Sequence, residues 1–206
     1  MILVIGGHGN MGQRYCRILD KVGVRYWVYD VKSNCGPMSE MAKNSSAFIV
    51  ATPTDTHAQL VLDLIPYKRP ILCEKPISLE TEVVDGVVKV ARDSGANLQM
   101  VNQYSFMVPE KQRADRSEYN YFKHGPHGLY WDCINIVGLA KGIVTLSNDS
   151  PVWKCTINGK KLALGDVDQA YVDMVVSWVS VPKPNIEYIE YAHHKVAEKI
   201  RSEGSV

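Results

Sequence analysis

Ile2-Leu3-Val4-Ile5-Gly6-Gly7-His8-Gly9-Asn10-Met11-Gly12 is the stretch that decides the fold. A four-residue apolar run reads as a buried strand, and it ends directly in Gly7-His8-Gly9-Asn10-Met11-Gly12, a G-x-G-x-x-G pattern. Met11 to Lys21 then carries helical periodicity. A glycine loop between a parallel strand and a helix allows a tight turn at its first glycine. The second glycine lets a pyrophosphate approach the backbone, and the third lets helix and strand pack closely. Phosphate then sits at the helix N-terminus, whose free N–H groups point at it. Asp30 stands at the end of the next apolar run, 18 residues beyond Gly12. A carboxylate there accepts ribose hydroxyls and repels a 2′-phosphate, favouring NAD over NADP, although Lys32 nearby keeps NADP open.

The same alternation continues outward. Apolar runs at Tyr26 to Tyr29, Ala47 to Ala51, Ile71 to Cys73 and Leu98 to Val101 predict four more strands. Helical patterns run over Ala58 to Ile65 and over Thr81 to Ser94, where Val83, Val84, Val87, Val88 and Val90 recur. Asn34 to Lys43 reads as a short helix at best. Strands alternating with helices predict an α/β fold, a doubly wound parallel Rossmann sheet over residues 1–104.

The rhythm changes in residues 105–206, which read as a small α+β domain. Met107 to Ser117 is a short helix or a loop, Tyr119 to Phe122 a strand, and Gly125-Pro126 with Gly128 a turn. Leu129 to Leu139 leans to helix, and Ile143 to Leu146 to strand. Val152 to Ile157 and Lys161 to Leu164 flank Asn158-Gly159, a hairpin signal, so an abbreviated antiparallel sheet is expected. Asp166 can cap a helix running to Val179, and Ile186 to Arg201 is a last helix. The final helices are expected to pack back on the first domain.

Composition narrows the function classes. In 206 residues, 23 Lys plus Arg face 22 Asp plus Glu, a net charge of +1 without a like-charge block. Nucleic-acid binding by phosphate neutralisation is therefore not expected. No apolar run reaches the roughly 20 residues needed to span a bilayer. The N-terminus lacks the features of a signal peptide, so a cytoplasmic chain is expected. Five scattered cysteines without a C-x-x-C pair suggest neither a disulfide framework nor a metal knuckle.

Two further loops leave strand ends: Ala51-Thr52-Pro53-Thr54-Asp55-Thr56-His57 and Cys73-Glu74-Lys75-Pro76-Ile77-Ser78. With them the chain resembles the Gfo/Idh/MocA family, the glucose-fructose oxidoreductase/inositol dehydrogenase group that also includes biliverdin reductase. The resemblance covers residues 1–104 and returns in Ala192-His193-His194-Lys195-Val196-Ala197 through Ser202. It implies NAD(P)-dependent hydride transfer on a sugar, cyclitol or related small molecule, in a homodimer formed through the second sheet. The loop Gly7, His8, Gly9, Asn10, Met11 and Gly12, with Asp30, Thr52, Pro53, Thr54, His57, Glu74, Lys75 and Asn102, would line the cofactor. Lys75 would act as acid/base, because a partly buried ammonium beside a carbonyl can donate a proton or steady an alkoxide. Gln103 and Tyr104 would join Asn102 near the substrate, and Tyr130 and Trp131 would wall it.

One motif departs from the family. An aspartate followed four residues later by a catalytic histidine is usual in members that act on sugars. Here Asp132 matches, but Ile136 stands in the histidine position, leaving Asn135 as the nearest polar side chain. Asp132 and Asn135 would then position substrate, and His124 or His127 could substitute for the missing histidine. Two alternatives follow: a degenerate dinucleotide-binding sensor or partner module, and an imine or tetrapyrrole reductase. The sheet is short enough that Val144, Leu146, Val152, Trp153 and Ile157 could form an association face, or simply a protomer core.

Overall fold

The computed structural model describes residues 1–33, 35–107, 116–120, 128–139, 143–147, 154–157, 160–162 and 164–203. The chain divides into two compact units: Met1–Val101 with Val175–Ile189, and Asn102–Met174 with Glu190–Val206.

In the first unit, strands β1 (Ile2–Ile5), β2 (Tyr26–Tyr29), β3 (Ala47–Val50), β4 (Ile71–Cys73) and β5 (Leu98–Met100) form one sheet in the order β2-β1-β3-β4-β5. Every pairing is parallel, with Ile2 opposite both Tyr26 and Ala47. β1, β3 and β4 are buried along their whole length, whereas β2, at one edge, is half-buried throughout. That gradient follows from crossover helices covering both faces of the central strands. The crossovers are α1 (Asn10–Lys21), α2 (Met38–Lys43), α3 (Thr54–Leu64) and α4 (Thr81–Ser94). α3 starts four residues before the apolar periodicity announces it, because Pro53 precedes its first turn as a cap position. On α4, Val84, Val87, Val88 and Ala91 are buried, whereas Val83 and Val90 face outward.

The far edge of this sheet, β5, is closed by side chain and backbone from residues 182–185. Asn185 donates from Nδ2 to the Met100 carbonyl and accepts the Met100 N–H on Oδ1, both at 2.8 Å. Its backbone N–H reaches the Leu98 carbonyl at 3.0 Å, and Asn97 Nδ2 donates to the Pro182 carbonyl. One asparagine amide thus stands in for a sixth strand and satisfies an otherwise open edge.

The second unit holds β6 (Arg116–Asn120), α5 (Leu129–Asp132), α6 (Ile134–Leu139), β7 (Ile143–Ser147), β8 (Lys154–Ile157) and β9 (Lys160–Leu162). α7 (Leu164–Ser180) and α8 (Ile186–Glu203) follow, each contributing residues to both units. The sheet order is β7-β6-β8-β9. β6–β8 and β8–β9 are antiparallel, but β6–β7 is parallel, so the expected antiparallel sheet is in fact mixed. The reason is the connection: α5 and α6 lie between β6 and β7, and a helical crossover returns the chain in the same direction. The single helix expected over 129–139 is interrupted at Cys133. His124, His127, the Gly125-Pro126 turn and Asn158-Gly159 lie outside the described residues. The same holds for residues 108–115 and the side chains of Val144, Val152, Trp153, Ile157 and Asp166. Leu146 is half-buried. Among the described residues, no helix is long and apolar enough to cross a membrane.

Replacing Asn185 with alanine removes two hydrogen bonds at the β5 edge. Urea unfolding should show a loss of about 1–3 kcal/mol, and an unchanged midpoint would refute the surrogate-strand reading.

Candidate nucleotide and catalytic site

At the carboxyl ends of the first sheet, three loops converge around the β1/β3 switch point, where open α/β sheets bind ligands. The tight turn expected at Gly7 is made one residue earlier. Gly6 has φ +81°, and a Cβ there would lie 2.7 Å from the Ala51 carbonyl oxygen and 2.9 Å from Thr52 Cγ2. Gly7 instead makes room for Val28, whose Cγ1 a Cβ would strike. At Gly12 a Cβ would collide with the Gly6 carbonyl and Gly7 Cα, so helix and loop touch backbone to backbone. The doublet Gly6-Gly7 was the sequence signal for this earlier turn.

The start of α1 suits an anion. Gly9 occupies the cap position without a side-chain cap, and the first turn of this 12-residue helix contains no acidic residue. Asn10 and Met11 open it, and their N–H groups belong to the unsatisfied first turn. His8 is exposed, with Nδ1 3.3 Å from Ser33 Oγ. Its backbone N–H donates to Asp30 Oδ2 at 3.2 Å, while Lys32 N–H donates to Oδ1 at 3.1 Å. These bonds, that of Lys32 first, hold the Asp30 carboxyl below its ordinary 3.8. The carboxylate is therefore fastened to the glycine loop and keeps lone pairs for a diol.

The other two loops are held by buried polar contacts. His57, in the first turns of α3, is fully buried; its Nδ1 lies 2.7 Å from the Pro76 carbonyl oxygen and its Nε2 2.8 Å from that of Thr52. Both ring nitrogens thus meet main-chain oxygens. The Thr56 hydroxyl lies 2.7 Å from Thr52 Oγ1 and from the Pro53 carbonyl oxygen, tightening the turn into Thr54. Glu74, also buried, accepts the Tyr15 hydroxyl on Oε1 at 2.5 Å and the Lys75 N–H on Oε2 at 3.1 Å. Lys75 is half-buried and followed by a cis peptide bond to Pro76. Tyr15 escaped the sequence reading because a tyrosine on an amphipathic helix looks like core; only its hydroxyl partner distinguishes it.

In the second unit, Asn102 precedes a 3-10 turn, Gln103–Phe106, and its Oδ1 is buried with no hydrogen-bond partner among the described residues. Such an orphaned acceptor fits a site that a ligand completes. Asn135 is buried and donates from Nδ2 to Gln103 Oε1 at 2.8 Å, which ties α6 to that turn. Ile136 is buried beside it. Asp132 closes α5, half-buried, and Tyr104 is buried. Trp131 packs on the fully buried His193, ring centroids 5.8 Å apart and tilted by 49°. Among the described residues no group of three potential ligands could hold a metal ion. A cavity of about 380 Å³ lies at the opposite, amino ends of the first sheet's strands, and among the described residues Arg25 is its one charged lining side chain.

Residues 17–102 match the family described as "Oxidoreductase family, NAD-binding Rossmann fold", the Gfo/Idh/MocA oxidoreductases. The resemblance inferred from the loop motifs thus holds for the Rossmann segment. An inositol 2-dehydrogenase from Rhizobium meliloti (strain 1021) is 42% identical over 59 residues, 29% of this chain and 18% of that protein. Another, from Rubrobacter xylanophilus, is 36% identical over 55 residues, 27% of this chain and 16% of its own length. These alignments therefore span less than a fifth of either curated relative. The fold is also that of the WlbA (WbpB) dehydrogenase from Thermus thermophilus, solved with NAD and UDP-GlcNAcA. That match has TM-score 0.72 and 13% identity, covering 95% of this chain and 93% of that one.

Two measurements check this geometry. Tyr15→Phe should cost about 1–3 kcal/mol in urea unfolding, because buried Glu74 Oε1 loses its donor. A lowered folded-state pKa stabilises above the unfolded value and ceases to do so as pH falls through it. The stability gap between wild type and Asp30→Ala should thus be present near neutral pH, begin to narrow as pH falls to 3.8 and go on narrowing as pH falls through the lower folded-state value. A gap that widens in acid would contradict the Asp30 bonding.

Proposed function

We propose that this chain, which carries the NAD-binding Rossmann segment of the Gfo/Idh/MocA oxidoreductases, is an NAD-dependent dehydrogenase acting on a secondary hydroxyl of a cyclitol or sugar. One observation carries the reading: an uncapped helix start behind a glycine loop, with the Asp30 carboxylate fastened to that same loop. The helix start receives a pyrophosphate, and Asp30 receives the adenosine ribose hydroxyls, which disfavours a 2′-phosphate. Thr52, Pro53 and Thr54 lead into α3 and supply backbone along the nicotinamide side. NAD, when bound, supplies the hydride acceptor. The chain would supply orientation and the proton's path: Lys75 Nζ, as the neutral amine, would take the substrate hydroxyl's proton in the oxidising direction and, as the ammonium, return it in the reducing direction. Glu74 turns inward to Tyr15 and supports this loop from behind.

A second reading has its own support. Ile136 and Asn135 are buried and α6 presents no titratable side chain, so a nucleotide-binding protein without turnover is the rival.

Calorimetric titration with NADH and NADPH, followed by NAD-dependent oxidation of myo-inositol and a panel of nucleotide sugars, separates the two. The dehydrogenase reading expects NADH in preference to NADPH and weaker NADH binding in Asp30→Ala. It also expects Lys75→Ala to lose at least about 100-fold in turnover with NADH affinity retained. Undiminished turnover in Lys75→Ala would remove its role as acid/base. NADH binding without turnover on any polyol supports the rival, and binding of neither nucleotide defeats both.

A further inference from the structure

We propose that His57 is a positioning residue, a two-sided clasp that sets the cofactor loop through the Thr52 carbonyl and the Lys75 loop through the Pro76 carbonyl. The inference rests on the nucleotide site proposed above but concerns a group that touches neither cofactor nor substrate. The ring is fully buried, and its two nitrogens lie 2.8 and 2.7 Å from those carbonyl oxygens. A carbonyl oxygen only accepts, so wherever a ring nitrogen carries hydrogen it donates to the carbonyl it faces. Both ring nitrogens are thereby engaged with the main chain, and neither is left to meet a ligand.

The placement explains why a histidine stands there. The loops after β3 and β4 leave neighbouring parallel strands, whose last main-chain bond runs from the Glu74 N–H to the Val50 carbonyl at 2.8 Å. Something must fix their separation, because Thr52 to Thr54 faces the nucleotide side and Lys75 the reacting side. A short rigid ring with opposed nitrogens spans the two loops in one step. Thr56 secures the near side of the same turn through Thr52 Oγ1 and Pro53. The Tyr15–Glu74 contact secures the far side. His57 is the one side chain among these that holds both loops.

Two variants divide the clasp. In His57→Asn the shorter amide occupies the place of Nδ1, keeping a donor for Pro76 and losing Thr52. In His57→Gln the longer amide occupies the place of Nε2, keeping Thr52 and losing Pro76. NADH is the probe, titrated by fluorescence, with thermal midpoints recorded for each variant. His57→Asn should weaken NADH roughly tenfold, and His57→Gln should leave it within about twofold. On any polyol that wild type oxidises, His57→Gln should lower kcat about tenfold or more with KM for NAD unchanged. A merely structural histidine would lower both thermal midpoints and move NADH affinity equally in the two variants. That equality, or no change in either, overturns the proposal. Wild type that fails to bind NADH overturns the underlying site, and the clasp with it. Wild type that binds while the variants behave alike overturns the clasp alone.

Discussion

The approach of Gly6 to the Ala51 carbonyl is the contact on which the site depends. β1 and β3 are neighbours in the sheet although β2 lies between them in sequence, so their loops leave the sheet side by side. A Cβ at Gly6 would stand 2.7 Å from that oxygen, well inside van der Waals contact, and its φ of +81° suits glycine alone. With the loops that close, α1 begins directly over the switch point and presents its unsatisfied N–H groups there. A side chain at Gly6 would have to displace the Ala51 carbonyl or the loop itself.

Around that contact the structure uses buried polar groups rather than apolar packing. Glu74, His57 and Tyr15 are all essentially solvent-free, and each meets a specific partner. Burying such groups costs free energy unless their bonds are made, which is why a polar brace tolerates little displacement. An apolar contact slides at small cost; a bond from an imidazole N–H to a carbonyl oxygen does not. Loops held by such bonds keep a fixed spacing. Lys75 is half-buried, its N–H bonded to Glu74 Oε2 and the next carbonyl, that of Pro76, facing His57.

The first unit was largely legible because its determinants are local. Apolar runs bounded by helices name the five strands, and the glycine loop names the switch point; the five-stranded parallel sheet follows the periodicity nearly residue for residue. What escaped was contact chemistry. Tyr15 reads as an ordinary core aromatic until Glu74, 59 positions away, is seen to accept its hydroxyl. Asn185 sits in a proline-punctuated stretch with no periodicity, and its role exists only beside β5. His57 reads as a ligand candidate by motif, yet the fold turns both of its nitrogens toward carbonyls.

The second unit was less legible for a different reason. Its strands mix polar and apolar residues in place of the first sheet's apolar runs, and their pairing depends on connections rather than composition. The sequence of β6 says nothing about the direction of β7; the helices between them do. The departure at Ile136 was visible in the sequence, but its consequence was not. Asn135 is drawn into a bond with Gln103, so α6 is anchored by the residue that stands nearest the missing histidine. That anchoring makes the helix a support for the Gln103–Phe106 turn of its own unit.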